Sequence, residues 1–107
     1  MESVLVITNF PHKDGAVALA KRLVDDRLAA CVNILSACTS VYRWQDKIEM
    51  ADEIPVLIKT QQQNYNQIEQ IIKEMNPYEL PEVIVVPVSG GLPAYLQWII
   101  DETQLSD

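Results

Sequence analysis

The chain has 107 residues, enough for one domain but too few for two hydrophobic cores, so we expect a single domain over residues 1–107. Fifteen Asp and Glu against eight Lys and Arg give a net charge of −7, which argues against nucleic acid and anionic membranes as partners because both attract cationic surfaces. The apolar content of 49% excludes a disordered chain and exceeds what a monomer of this length readily buries, which indicates self-association.

The first third of the chain predicts a buried strand followed by an amphipathic helix. The apolar run 4–7 ends at a proline turn, as a short strand does. Asp14 is expected to cap the helix, and apolar residues recur behind it at helical spacing: Ala16, Ala20, Leu23, Val24 and Leu28. The acidic start and the lack of any apolar run of membrane-spanning length predict a cytoplasmic protein with no membrane partner.

The middle of the chain predicts a long β-hairpin from Ala30 to Thr60. Residues 31–35 and 39–44 alternate as a first arm, with Tyr42 and Trp44 on one face, and the second arm begins after a turn at 45–47. Because Pro55 cannot donate a ladder hydrogen bond, we expect a bulge or a free edge there. The hairpin is longer than two helices can cover, so a protein partner is expected at its end.

The last third predicts a helix, a strand and a short terminal helix. The first helix has an apolar stripe made of Tyr65, Ile68, Ile71, Ile72 and Met75, and it should stop at Asn76-Pro77. A strand follows at 82–89, and Pro93 suits the first turn of the terminal helix. The order βαββαβ with a helical tail predicts an α+β, ferredoxin-like sandwich with a long hairpin between its second and third strands.

Standard catalytic and metal motifs are missing from the sequence. His12 is the single histidine and is expected to be exposed in a turn, and three glycines cannot build a phosphate-binding loop. Cys31 and Cys38 on one extended segment would lie over about 20 Å apart, beyond disulfide reach, and each is expected to be a small buried hydrophobe. We therefore predict no catalytic residues and no enzymatic activity.

Two features indicate a binding pocket. Lys59 ends an apolar strand, so it either reaches solvent or faces Glu82 or an anionic ligand. The segment 76–82 is stiffened by two prolines and is either a simple connection or a binding loop. The predicted pocket lies between subunits and combines aromatic rings, a cation and a carboxylate: Cys31, Trp44, Lys59, Tyr78 and Glu82.

Several segments together resemble the CutA family of divalent-cation tolerance proteins. They follow the family's order and spacing: 28–34 (LAACVNI), 40–44 (SVYRW) with 48–49 (IE), 57–60 (LIKT), 76–82 (NPYELPE) and 95–99 (YLQWI). The resemblance implies a ferredoxin-like subunit in a tight homotrimer similar to the PII signalling proteins. It also implies a cytoplasmic location in bacteria, tolerance to copper and other divalent metals, and no established enzymatic activity.

The resemblance also indicates where copper would bind. Family members credited with copper ligation carry a cysteine near the end of the first strand and histidine just before the Pro-Tyr pair; the matching positions here are Thr8, Met75 and Asn76. Only Met75 offers a soft donor. We expect copper to bind weakly or through other ligands. The alternatives to a metal-response trimer are a PII-like small-molecule sensor and a non-catalytic scaffold for another protein.

Overall fold

The computed structural model describes residues 2–104, which form five strands and three α-helices. In chain order these are β1 Ser3–Phe10, α1 Lys13–Asp25, β2 Cys31–Ile34, β3 Cys38–Trp44, β4 Lys47–Gln61, α2 Tyr65–Met75, β5 Val83–Pro87 and α3 Pro93–Glu102, with a 3₁₀ turn at Gln62–Asn64 before α2. None of the helices in this part of the chain has the length and apolar character that a membrane crossing needs.

All strand pairs are antiparallel, so the fold is a mixed α/β fold around an antiparallel sheet. The strands run in the order β2-β4-β1-β5, and β3 pairs with the outer part of β4. The predicted helix and strand types are therefore confirmed, but the first hairpin arm is two strands, which gives five strands where four were predicted. The ferredoxin-like assignment stays a prediction.

The two faces of the sheet differ because successive strand residues point to opposite sides. One face carries Val4 and Val6 of β1 and Ile58 of β4, and α1 and α2 cover it with their apolar sides. The buried helix residues there are Ala16, Leu19 and Leu23 of α1 and Ile68, Ile71 and Ile72 of α2. The opposite side, which we call the open face, has no such two-helix cover and includes Lys59 in register with Leu5.

Three details of the predicted α1 are wrong: its cap, the burial of Val24, and its extent, because Leu28 lies beyond the helix end at Asp25. The helix begins at Lys13, after an extended His12 that makes no side-chain cap bond, so Asp14 lies inside the first turn. There its charge favours the exposed N–H groups of the helix end without capping one. Val24 is 45% exposed, because the side of α1 that meets the sheet is centred on Leu19 and Leu23 and the next residue is rotated about 100° away.

The long hairpin is interrupted where Pro55 lies. Residues 35–37 lie opposite only residues 54 and 55 of β4, so one extra residue bulges between β2 and β3. The Pro55 carbonyl accepts a hydrogen bond from the N–H of Leu35. Because the nitrogen and the carbonyl of one strand residue point to the same side, the Pro55 nitrogen also faces the break, where the sheet needs no hydrogen-bond donor. The expectation of a bulge at Pro55 is confirmed, whereas a free edge is wrong because β1 pairs with this part of β4.

Other boundaries follow the sequence signals. Helix α2 ends at Met75, before Asn76-Pro77, and Pro93 is in the first turn of α3. The C-terminal end of α3 is fixed to β4, where the Gln61 side-chain amide donates to the Thr103 hydroxyl at 2.9 Å and to its carbonyl at 3.2 Å. These bonds hold α3 against the sheet next to Lys59.

Candidate functional site

A groove of about 660 Å³ lies where the hairpin meets the segment 78–82. Its walls come from the end of β1, from β3, from one residue of β4 and from the connection between α2 and β5. The lining residues are Asn9, Ser40, Val41, Tyr42, Arg43, Trp44, Glu53, Tyr78, Glu79, Leu80 and Glu82. The groove therefore combines aromatic rings with three carboxylates and several other polar groups.

The side chain of Asn76 holds the groove's loop wall in place. Its amide nitrogen donates to the carbonyl of Asn9 at 2.8 Å, and its amide oxygen accepts from the backbone N–H of Tyr78 at 3.0 Å. Asn76 is only 7% exposed, so both bonds are partly shielded from water. The segment that follows, with a proline at 77 and another at 81, is thereby fixed to the end of β1.

Two further contacts order the polar groups of the groove. The Asn9 side chain donates to one carboxylate oxygen of Glu82 at 2.9 Å. Burial raises the pKa of Tyr78 well above its usual range, and the adjacent Glu53 carboxylate, which accepts from the phenol and would repel a phenolate, raises it further. At neutral pH Tyr78 therefore remains a neutral hydroxyl beside a carboxylate.

Three of the five predicted pocket residues, Trp44, Tyr78 and Glu82, line this one groove. The other two, Cys31 and Lys59, are cross-strand partners on the open face and do not line it. In this chain Glu82 is hydrogen bonded to Asn9 and not to Lys59. A pocket between subunits that unites all five residues stays a prediction.

Lys59 belongs to a separate cluster beside α3. Its ammonium donates to the Tyr95 hydroxyl at 3.3 Å and lies 5.6 Å from the centre of the Tyr95 ring. The Tyr95 ring in turn lies 5.5 Å from that of Trp98. Cys31 is half-buried in the same sheet row, and its thiol donates weakly to the Asn33 side chain at 3.9 Å. Cys38 is exposed on the hairpin, so its predicted burial is wrong.

The positions that matched copper ligands do not fit a copper site. Thr8 is fully buried on the helix side of the sheet with no hydrogen-bond partner for its hydroxyl, and Met75 packs against the core. Asn76 uses both ends of its amide to fix backbone groups. Within residues 2–104, no three His, Cys, Asp or Glu side chains are grouped closely enough to hold a metal ion.

The groove residues that the predicted pocket did not include are led by Asn9 and Glu53, which carry its polar contacts. Glu53 could have been found from strand alternation. When the alternation is continued through the hairpin turn into β4, Glu53 falls on the same face as Tyr42 and Trp44. Asn9 had no comparable signal, since its partners come from a loop over sixty residues away.

A second depression, of about 770 Å³, runs along the solvent side of α1. It is larger than the groove but more open, and its lining mixes apolar residues with side chains of both charge signs: Ala20, Lys21, Arg22, Val24, Asp25 and Val32. None of the predicted site residues lines it. The groove is therefore the better candidate site.

Comparison with known proteins agrees with the arrangement of these elements. The sequence profile of the family described as CutA1 divalent ion tolerance protein matches residues 4–102. The chain belongs to this family. Both the sheet and the groove segments fall within the matched range.

Individual relatives match the chain closely. It is 39% identical to the divalent-cation tolerance protein CutA of Thermus thermophilus over 96% of this chain and 99% of that protein. It is also 39% identical to mouse Protein CutA, over 88% of this chain but 53% of the mouse protein, so it spans about half of that relative. The crystal structure of CutA from Xylella fastidiosa superposes with a TM-score of 0.92 at 42% identity, covering 97% of this chain and all of that one.

Proposed function

We propose that the chain is a non-enzymatic, homotrimeric CutA protein of the cytoplasm that acts in the response to divalent metal ions. The observation that carries this proposal is the family match over residues 4–102, together with relatives named for divalent-cation tolerance and not for any reaction. We further propose that residues 1–107 are a single domain with a ferredoxin-like subunit fold and a PII-like trimer arrangement.

Exposed apolar side chains support the trimer. On the open face, Ile84 is 49% and Val86 is 39% exposed, and Trp98 of α3 is also exposed. On the hairpin, Ile48 and Met50 are exposed beyond the reach of the helices. A monomeric protein rarely leaves so many large apolar groups in water, and strand edges without partners invite association.

Native mass spectrometry and light scattering test the assembly. We expect a trimer at micromolar concentration, and a stable monomer would overturn the proposal. Val86→Glu puts a charge on the open face and should dissociate the trimer, whereas Val24→Glu, at a similarly exposed valine on α1, should leave it intact. A Val86→Glu trimer of unchanged stability would exclude the open face as the interface.

The metal part of the proposal needs a direct measurement. Because Thr8, Met75 and Asn76 do not fit copper, we propose that copper binds weakly or through other donors, such as the exposed thiol of Cys38. Calorimetric titration with Cu(II) and with Cu(I) tests this, with Cys38→Ser as the matched variant. Binding no tighter than about 100 μM would exclude direct metal ligation as the function.

The second candidate function is a small-molecule sensor with a pocket between subunits. The convergence of Trp44, Tyr78 and Glu82 on one groove favours it, and a subunit neighbour would have to bring Cys31 and Lys59 to the same place. A metabolite library screened by thermal shift tests it. If the double variant Lys59→Met, Glu82→Gln gave the same shifts as the unmodified protein, the sensor would be rejected.

The third candidate is a scaffold for another protein, favoured by the exposed apolar side chains Val41, Ile48 and Met50 of the hairpin. Affinity capture from the native host tests it. Recovery of the chain alone would count against a scaffold.

A further inference from the structure

The groove between the hairpin and the segment 78–82 has the composition of a cation site. Three aromatic side chains, Tyr42, Trp44 and Tyr78, line it together with the carboxylates of Glu53 and Glu82. Aromatic ring faces and carboxylates both attract positive charge, and they repel or ignore anions. The groove therefore favours a cationic ligand, whereas a pocket that contained Lys59 would favour an anionic one.

The cationic side chains of residues 2–104 form no ion pair or cation–π contact with these groups. Within residues 2–104, the side-chain ion pairs are made by Arg22 and Arg27 with carboxylates outside the groove. The cation that lies over an aromatic ring in this part of the chain is Lys59, over Tyr95. Arg43 lines the groove, but it alternates with Tyr42 and Trp44 along β3, so its side chain leaves from the opposite face of the hairpin.

We propose that this groove binds a compact organic cation, whose ammonium group lies against Trp44, Tyr42 and Tyr78 and is neutralised by Glu53 and Glu82. The volume of about 660 Å³ is in the usual range for a small-molecule site. A bare metal ion fits less well, because the described residues contain no metal-binding group of three His, Cys, Asp or Glu side chains and ring faces do not ligate hard cations. The proposal goes beyond the metal response and does not depend on it.

The groove is organised before a ligand arrives. Asn76 fixes the backbone of Tyr78, and Asn9 fixes one oxygen of Glu82. Because these side chains are already held in place, few of them have to be immobilised when a ligand binds, which reduces the entropic cost of binding. Tyr78 also keeps its proton at neutral pH, so its ring presents a neutral face beside Glu53.

Calorimetry on the assembled, full-length protein tests the proposal, with chelator present so that metal binding cannot contribute. The probes are choline and its neutral carbon isostere 3,3-dimethyl-1-butanol, which have nearly the same shape. We expect choline to bind at least about tenfold more tightly, because only the charged probe gains from the rings and carboxylates. Equal affinities, or no choline binding by the assembled protein, would overturn the proposal.

Matched variants locate the site. Glu53→Gln and Trp44→Leu should each weaken choline binding by about three- to thirtyfold. Asp52→Asn removes the same charge from the neighbouring residue, which lies on the other face of the hairpin, and should change affinity less than about twofold. If Trp44→Leu does not fold, Glu82→Gln replaces it as the second site variant and should also weaken choline binding. Similar losses in Asp52→Asn and Glu53→Gln would show a diffuse charge effect and would overturn the site.

Discussion

Replacing Asn76 by alanine is expected to lower stability and loosen the groove together. The side chain makes two hydrogen bonds, at 2.8 Å to the Asn9 carbonyl and at 3.0 Å from the Tyr78 N–H, and it is 7% exposed. Alanine leaves a backbone acceptor and a backbone donor without these partners. Each buried polar group that loses its partner costs about 1–3 kcal/mol.

Because the Tyr78 side of the bond is only partly buried, water can replace part of that loss, and we expect a total of about 2 kcal/mol. For a domain of this size that corresponds to a fall in melting temperature of roughly 10 °C. Urea denaturation followed by circular dichroism measures it, at one fixed protein concentration because assembly adds to stability. The control Asn66→Ala, on the exposed side of α2, should change stability by less than about 0.5 kcal/mol. If Asn76→Ala cost no more than this control, the assigned role of Asn76 would be refuted.

Three further variants test local features of the structure. Arg27 closes α1 with a φ of 59°, so Arg27→Gly should raise stability by about 0.5 kcal/mol in urea denaturation, after loss of its exposed ion pair with Glu102. Gln45 and Asp46 have φ of 50° and 66° in the two-residue hairpin turn, and changing them to Asn-Gly should stabilise the hairpin by up to about 1 kcal/mol and slow amide exchange in β3. A hydrogen bond to a neighbouring carboxylate, with burial, raises the pKa of Tyr65 to about 12 from 10.0. The native state therefore keeps this proton while the unfolded state loses it, so stability should fall between pH 10 and 12, and melting temperatures at pH 9 and 11 should differ less in Tyr65→Phe.

The spacing of apolar residues predicted the helices and strands well where an element is buried on one face only. The stripe on α2 and the stop before Pro77 follow directly from the chain, as does the bulge opposite Pro55. The start of α1 was wrong because Asp14 suits both a cap and a first turn, and local sequence does not separate the two. The bulge opposite Pro55 divides the predicted first hairpin arm into β2 and β3.

The candidate site was only partly predictable for a different reason. Alternation assigns Trp44 to a face of the hairpin, but it does not say which distant loop comes to that face. The Asn76 side chain makes that connection through a bond to Asn9, 67 residues away in sequence. Lys59 was assigned to the same pocket because it also ends an apolar run, yet its strand position directs it towards Tyr95. Contacts between distant segments therefore decided which residues form the groove.

The two faces of the sheet also explain the high apolar content of the chain. A strand with a fixed period of two that presents Val6 to the helices must present Leu5 and Ile7 to the other side. Helix α3 lies beside that side at Lys59, and Ile84 and Val86 remain exposed. Because the two sets of apolar side chains point to opposite faces of the sheet, one layer of helices cannot bury both. The set on the open face therefore requires a second covering layer. A neighbouring subunit provides that layer most simply, which is the physical basis for the proposed trimer.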